Sequence, residues 1–271
     1  MRCLFCKEDS SASVSVEHVI PESLGNKSTV LPKGIVCDSC NNYFASKVEQ
    51  PVLESEEFTR LRFNQLIRNK KGRVPKVEIL FGDHIVKAKR EEKLTFSFEP
   101  KDFDKIEKYL SSSNTGEMAL PISGAPSHDK HLSRFLAKMG LEALAHRWNK
   151  GNINNNYIVD HKQLDAIRSY ARRPKKNELW VYSKRRIYDE NSKTRQLDGN
   201  SYQIINEWDI LVTGDIDSSE FYFVVAIFGI EYAINLGGNS MDGYHAWLKT
   251  NHNISPLYFG KNSTLHIPTL I

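Results

Sequence analysis

The sequence predicts an α+β protein, with a short metal-binding segment ahead of a larger region of mixed helices and antiparallel strands. Three observations support this fold class. All four cysteines of the 271-residue chain lie within its first 40 residues. One strongly periodic helix is predicted near the middle, and short alternating runs typical of antiparallel strands lie on both sides of it. We therefore expect two modules, residues 1–55 and residues 56–271.

The segment that follows the cysteines is predicted to be a helix leading into a small sheet. Residues 51–72 have apolar side chains at positions that suit a helix. Between residues 74 and 98, three short alternating runs, VPKVEILF, HIVKAK and KLTFSF, indicate antiparallel strands. Residues 101–111 form a short predicted helix. Residues 115–128 are rich in Gly, Pro and Ser, a composition typical of a linker.

The strongest predicted helix of the chain covers residues 131–149. Its apolar side chains recur at close to helical spacing, which indicates that one face is buried. A second helix is predicted at residues 163–172, and β character then returns, with a turn at Gly229. The strands predicted in this last part are 179–182, 202–212, 220–227 and 230–236.

The composition is that of a soluble globular protein, with 40% hydrophobic and 26% charged residues. No run approaches the roughly 18 apolar residues that a membrane span needs. The opening residues lack the apolar core of a secretory signal. We therefore expect a cytoplasmic protein that does not bind a membrane.

The net charge of +4 is mild, but basic residues are concentrated in two segments. Residues 57–93 contain eleven Lys or Arg against five Asp or Glu, and residues 162–186 contain nine against two. Such segments can follow a phosphate backbone, although a solvated basic surface is the equal alternative for either one alone. If the protein binds nucleic acid, these are the expected contact segments.

The cysteines form two Cys-x-x-Cys pairs separated by 30 residues. Four thiolates in this arrangement are the closed tetrahedral ligand set that zinc prefers in structural sites. A segment of about fifty residues buries too little apolar area to fold alone, so metal binding would supply folding energy. The sequence therefore predicts a structural Zn²⁺ bound by Cys3, Cys6, Cys37 and Cys40.

Between the two cysteine pairs lies the run SVEHVIPESLGN, residues 15–26, and Asn41 directly follows the second pair. The order Cys-x-x-Cys, acidic residue and His, Cys-x-x-Cys-Asn resembles the HNH endonuclease superfamily, in its subgroup with four zinc cysteines and a final Asn. It is also similar to resolvases of the endonuclease VII type. The run EHVIPESLG resembles bacterial HNH proteins that restrict foreign DNA. The resemblance covers about residues 1–55.

The resemblance implies a ββα-metal finger, in which two strands carry the acidic residue and the His, and a helix follows the second cysteine pair. It implies that His18 is the general base, since a neutral imidazole can take a proton from water at cellular pH. Glu17 and Asn41 would bind a single catalytic Mg²⁺ or Mn²⁺ through hard oxygen ligands. The expected products are a 5′-phosphate and a 3′-hydroxyl.

The sequence departs from the family pattern at three places. Glu17 stands where Asp is commoner, and Asn41 stands where many members have His. The middle Asn of the motif, which orients the His-bearing loop, has Asn26 as its nearest candidate. Asn41 could also be a helix N-cap, Asn42 and Glu49 are expected to be structural, and Glu22 is either a neighbour of the site or a loop acid.

The sequence thus favours a DNA endonuclease acting on double-stranded or branched DNA, with defence against phage as a family association. One alternative is a zinc-dependent DNA-binding module without catalysis. Another is a signal-activated effector nuclease whose C-terminal region is a sensor. A double-strand cut by subunits with one active site each would need a homodimer or two sequential nicks.

Overall fold

The computed structural model describes residues 1–26, 29–69, 71–92, 95–112, 117–119, 129–151, 155–189, 194–195, 201–202, 207–214 and 219–258. The chain forms two compact units. The first comprises Met1–Glu22, Asn26–Val52 and His128–Ile271, and the second comprises Ser23–Gly25 and Leu53–Ser127. The predicted module boundary at residue 55 stays a prediction.

The first unit begins with the elements that hold the cysteines and the Glu-His pair. Strands β1 (Glu17–His18) and β2 (Val30–Leu31) pair antiparallel. Helix α1 (Asp38–Phe44) continues through a π-helical segment (Ala45–Glu49) into α2 (Gln50–Leu53). The order strand, strand, helix is the one expected for a ββα finger.

The second unit is a small sheet with a helix packed against it. Its elements are α3 (Glu56–Asn64), β3 (Lys76–Phe81), β4 (His84–Arg90), β5 (Phe96–Phe98), α4 (Phe103–Ser112) and β6 (Met118–Ala119). The strands are antiparallel in the order β5-β4-β3-β6. Phe63 of α3 packs with Ile79 and Val86 of the sheet in one apolar core. The antiparallel strands predicted between residues 74 and 98 are confirmed.

The helix predicted over residues 51–72 is wrong in its extent. Ser55 interrupts it, since its side chain accepts a hydrogen bond from the Phe58 N–H and caps the start of α3. The helix ends at Asn64, and Leu66 has φ +57°, a left-handed conformation that stops further helical turns.

The first unit is built around helix α5 (Lys130–Lys150), in which every residue from 132 to 146 is buried. This confirms the predicted helix, although the whole circumference is covered rather than one face. Helices α6 (Asn155–Asp160) and α7 (Asp165–Arg172) follow and pack on α5. A helix covered on all sides places any charged side chain that it carries in the protein core.

The C-terminal part of the first unit is an antiparallel sheet packed on α5. Its elements are β7 (Tyr182–Arg186), β8 (Thr194–Arg195), β9 (Ser201–Tyr202), β10 (Glu207–Thr213), β11 (Glu220–Ile227), β12 (Ile230–Asn235) and α8 (Asp242–Thr250). The sheet that packs on α5 has the order β10-β11-β12-β7, and β8 pairs only with β9 among the described residues. At Gly140 the sheet comes so close that a Cβ would lie 2.9 Å from that of Phe223, which explains a glycine in mid-helix.

The α+β fold class with antiparallel strands is confirmed. The predicted linker at residues 115–128 lies outside the described residues except for 117–119. Within the part of the chain that the structure describes, no helix has both the length and the apolar character that crossing a membrane requires.

Candidate metal centre and active site

The four cysteine sulfurs form one cluster, and all of them lie within 4.8 Å of one another. The Cys6 and Cys37 sulfurs are 3.7 Å apart. Four thiolates around a tetrahedral zinc have sulfurs about 3.8 Å apart, because each Zn–S bond is about 2.3 Å. The cysteines are not joined by disulfides. The donor set therefore suits a structural Zn²⁺, as the sequence predicts.

Local backbone geometry brings the cysteines together. Lys7, directly after the first pair, has φ +64°, and its N–H donates to the Cys3 carbonyl to close a tight turn. The Leu4 N–H donates to the Ile35 carbonyl at 2.8 Å, which places the first pair beside the approach to the second. The Cys3 sulfur accepts hydrogen bonds from the N–H groups of Phe5 and Cys37. These contacts hold the two Cys-x-x-Cys pairs around one centre.

Three of the four cysteines differ in the pKa of their thiols. The pKa of Cys3 is lowered to about 4, chiefly because the Cys40 thiol donates a hydrogen bond to it, and the pKa of Cys40 is raised for the same reason. Burial raises the pKa of Cys6 to about 11. A divalent cation would replace these protons, because only thiolates are strong zinc ligands.

The Glu-His pair lies on β1, opposite β2. Glu17 faces Leu31 and His18 faces Val30 in the antiparallel register. The Glu17 side chain is buried, whereas His18 is half-buried. The Nδ1 atom of His18 is buried and has no hydrogen-bond partner among the described residues. A buried ring nitrogen without a partner calls for an explanation, since most buried polar atoms have a hydrogen-bond partner.

Asn26 holds the loop that joins these two strands. Its Nδ2 donates to the carbonyls of Ile20, at 2.7 Å, and Thr29, at 3.2 Å, and its Oδ1 accepts from the Thr29 N–H at 3.0 Å. The side chain is 1% exposed. These bonds connect the two ends of the loop, beginning two residues after His18. Asn26 therefore ties the two ends of this loop together, and its role as the middle Asn of the motif stays a prediction.

Asn41 lies in α1, next to the zinc-site residue Cys40. The N-cap of α1 is Cys37, whose sulfur accepts from the Cys40 N–H, so the alternative that Asn41 is the N-cap is wrong. The Asn41 N–H is bonded to the Cys37 carbonyl, and its side chain is half-buried. Its side-chain amide is therefore not committed to capping the helix.

A buried ion cluster surrounds Glu17. The Lys138 ammonium, on α5, lies 2.5 Å from Glu17 Oε1, 2.6 Å from Glu49 Oε1 and 3.0 Å from Glu142 Oε2. Glu49, which is expected to be structural, is ion-paired with the same cation as the predicted metal ligand Glu17. Lys138 and Glu142 were missed entirely in the sequence.

The electrostatics of this cluster follow from its burial. Lys138 and Glu142 have fully buried side chains. Burial raises the pKa of the Glu142 carboxyl well above its usual range. Burial opposes the charge of Lys138, but the carboxylates of Glu142, Glu49 and Glu17 outweigh it and raise the pKa of the ammonium. Lys138 is therefore the cation that these carboxylates surround.

Arginines of two helices form hydrogen bonds that connect the cysteine-containing segment to the rest of its unit. Arg134 of α5 donates to the Tyr43 hydroxyl at 2.9 Å and to the carbonyls of Ala171 and Arg172 at 3.1 Å. Arg168 of α7 donates to the Leu4 carbonyl at 2.7 Å. Met1–Glu22 and Asn26–Val52 therefore share one compact unit with α5 and α7.

A family model described as HNH endonuclease matches residues 3–56. The matched segment contains all four cysteines together with Glu17, His18 and Asn41, and it covers about a fifth of the chain. No curated protein and no solved structure gives a match. The N-terminal segment of this chain, with its cluster of four cysteines, is an HNH endonuclease domain.

Proposed function

We propose that this protein is a metal-dependent endonuclease that hydrolyses DNA phosphodiester bonds. The observation that carries the proposal is the HNH match, which includes Glu17, His18 and Asn41 in one segment. A β-β-α arrangement supports it, with the Glu-His pair on a strand and Asn41 in the helix that begins at the second cysteine pair. The nuclease-type function rests on the match, and the particular reaction is our proposal.

His18 is proposed as the general base. The residue is only half-buried, which supports access of the attacking water to the imidazole, and the imidazole would take the proton of that water. The loop bonds of Asn26 would hold the strand that carries His18 in place. A general base needs such a fixed position, because proton transfer depends on hydrogen-bond reach.

Glu17 and Asn41 are proposed to hold one divalent cation, Mg²⁺ or Mn²⁺. Carboxylate and amide oxygens are the hard ligands that these ions prefer, and few protein ligands leave positions for water and phosphate. When bound, the cation would stabilise negative charge on the scissile phosphate and on the leaving 3′ oxygen. Glu17 uses Oε1 for Lys138, so its other oxygen is the one proposed for the cation.

DNA contacts are proposed for the exposed basic side chains of residues 162–186. Arg173, Lys175 and Lys176 are exposed there, whereas Arg168 is buried and bonded to backbone carbonyls. In the other basic segment several side chains already have ion pairs, among them Lys76 with Glu99. The part of segment 162–186 around residues 173–176 is therefore the better candidate for phosphate contacts.

The test incubates the zinc-loaded protein with supercoiled plasmid and Mg²⁺ or Mn²⁺. The parent should nick or linearise the plasmid, EDTA should abolish cutting, and His18→Ala should lower the rate by at least about 100-fold, the size of a general-base contribution. His131→Ala, which removes an exposed histidine at the start of α5, is the matched control and should cut like the parent. Equal cutting by His18→Ala would refute the assigned base.

Other outcomes would identify the alternatives. DNA binding without cleavage under all metals would support a silent zinc-dependent module, and cleavage only after addition of a small molecule or partner would support an activated effector. A comparison of branched with linear DNA tests junction selectivity. Cytoplasmic location, a role in defence against foreign DNA and homodimerisation for double-strand cutting remain proposals.

A further inference from the structure

We propose that Lys138 is a positioning residue for Glu17, so that helix α5, outside the HNH segment, forms part of the nuclease site. The proposal rests on the function proposed above, in which Glu17 is a ligand of the catalytic cation. It extends the site beyond the residues that any motif or family match includes, because Lys138 lies 121 residues after Glu17 and far beyond residue 56.

The contact between Lys138 and Glu17 is short and buried. Nζ donates to Oε1 over 2.5 Å, with the Lys138 side chain fully buried and that of Glu17 8% exposed. An ammonium has three N–H donors, and three carboxylates surround this one. Glu17 accepts a hydrogen bond from this ammonium, and Glu49 and Glu142 form ion pairs with it, although neither oxygen of Glu142 has a hydrogen-bond partner among the described residues. Glu17 is therefore held by a buried group that three carboxyl groups attract.

Such an anchor suits a carboxylate that must bind a cation with its other oxygen. A glutamate on a strand end could turn about three side-chain bonds and offer either oxygen. Here one oxygen is fixed by Lys138, which leaves a defined direction for the second. Hydrogen bonds to metal-ligating carboxylates orient the ligand, and their removal typically costs about 10- to 100-fold in metal affinity or activity.

Stability alone is a weak reason for this cluster. Ion pairs in a protein core lose much of their attraction to desolvation, and apolar side chains of similar volume often serve as well or better. Lys138 lies in a stretch of fifteen consecutive buried residues, most of them apolar or small, where Leu or Met would fit the pattern. A charge at this buried position is explained if the ammonium has to hold the Glu17 carboxylate.

The experiment measures Mn²⁺ binding by the full-length, zinc-loaded protein from the EPR signal of free Mn²⁺, together with plasmid cleavage. Lys138→Met removes the ammonium and keeps most of the side-chain volume. Glu17→Gln calibrates the effect of losing the ligand itself. Arg185→Met is the control for general destabilisation, because it removes a cation from a different buried cluster, around Glu231.

For Lys138→Met we expect Mn²⁺ affinity to fall about 10-fold or more. We expect kcat to fall while KM for DNA is unchanged, since Lys138 is buried and cannot touch DNA. Arg185→Met should lower the melting temperature and leave Mn²⁺ affinity within about twofold of the parent. A folded Lys138→Met protein with parental Mn²⁺ affinity and kcat would overturn the proposal. Tighter Mn²⁺ binding would also overturn it, because Lys138 would then compete with the cation for Glu17.

The two proposals fail in different ways. If Glu17→Gln binds Mn²⁺ as the parent does, Glu17 is not a metal ligand and the proposed function fails at that residue. If Glu17→Gln loses affinity and Lys138→Met does not, only the positioning role fails.

Lys138→Met leaves buried carboxylates without a counter-ion, so the variant could fail to fold. A second comparison covers that case. The double variant Glu49→Gln/Glu142→Gln is compared with the same variant carrying Lys138→Met. The two proteins differ only in the ammonium, and neither has the extra carboxylates. We expect the same loss of Mn²⁺ affinity in the variant without the ammonium, and equal affinity in the two would overturn the proposal.

Discussion

The side-chain amide of Asn26 donates a hydrogen bond to the backbone carbonyl of Ile20 at 2.7 Å, inside the loop between the two short strands of the HNH domain. The Val19 N–H also donates across this loop, to the Thr29 carbonyl at 3.1 Å. A two-residue strand pair has little stability of its own. We therefore expect the position of His18 to depend on the side chain of Asn26.

Asn26→Leu should lower the free energy of unfolding by about 2 kcal/mol, because backbone groups of Ile20 and Thr29 would be buried without partners. Asn26→Asp is the matched variant: it keeps the side-chain shape and can still accept from the Thr29 N–H, but it places a buried carboxylate oxygen against the Ile20 carbonyl, so its loss should be larger. Urea unfolding measures both, and cleavage rates should fall in the same order. Equal stability of parent and Asn26→Leu would show that the loop does not depend on this side chain.

The zinc site gives a prediction that is independent of catalysis. The parent should contain one zinc per chain, and Cys6→Ser should lose it and unfold the N-terminal segment, since structural zinc supplies about 10 kcal/mol or more to small domains. Ser39→Ala alters an exposed residue between Cys37 and Cys40 and should retain zinc. Metal analysis and near-UV circular dichroism are the measurements. Full zinc content in Cys6→Ser would contradict the four-thiolate site.

The sequence allowed prediction of the four-cysteine metal centre but not of the ion cluster around Lys138, and the reason is the range of the interactions. The cysteines and the Glu-His pair lie within 40 residues at spacings that zinc and the motif require. Lys138 and Glu17 are 121 residues apart, and only the packing of α5 brings them together. The sequence contains one indication of this cluster. Lys138 and Glu142 are four residues apart within a helix of mostly apolar residues, where buried charges must be paired.

The pairing of distant strands is beyond sequence prediction for the same reason, the long range of the interactions. The β character of the sequence indicated β11 and β12, and Gly229, with φ +78°, lies in the turn between them as predicted. The pairing of β7 with β12 joins strands separated by more than forty residues, so local pattern could not give it. The sequence also does not show that the helix breaks at Ser55. A capping serine inside a periodic apolar pattern looks like any other residue of a helix.

The Glu231 carboxylate, on β12, binds side chains of β7, of α8 and of the segment that follows α8. It is 1% exposed, lies 2.5 Å from Arg185 Nε, and accepts hydrogen bonds from the hydroxyls of Tyr244, at 2.5 Å, and Ser255. Glu231→Gln should lower the free energy of unfolding by about 3 kcal/mol, because Arg185 loses its buried counter-ion. Tyr244→Phe removes one hydrogen bond and should cost about 1 kcal/mol. Guanidinium unfolding ranks the two, and a larger loss in Tyr244→Phe would contradict the ion pair's role.

Glu207 should make stability depend on pH. Burial raises its pKa to about 7, and the hydrogen bond from the Tyr188 hydroxyl, 2.5 Å away, only partly offsets this. The usual pKa of Glu in an unfolded chain is about 4.3. The folded state therefore binds the extra proton between these values, and the free energy of unfolding should fall as pH rises from about 4.5 to 7, by up to about 3 kcal/mol, and then level off.

Glu207→Gln separates this effect from other titrations. Gln stays neutral and can still accept from Tyr188, so the variant should be more stable than the parent at pH 8, with the difference shrinking toward pH 5. Tyr188→Phe removes the bond that favours the ionised carboxylate, so it should extend the fall in stability to higher pH. Urea unfolding at pH 6, 7 and 8, where zinc stays bound, measures all three proteins. If parent and Glu207→Gln have parallel pH profiles, the carboxyl group is ionised in the folded protein and burial does not control it.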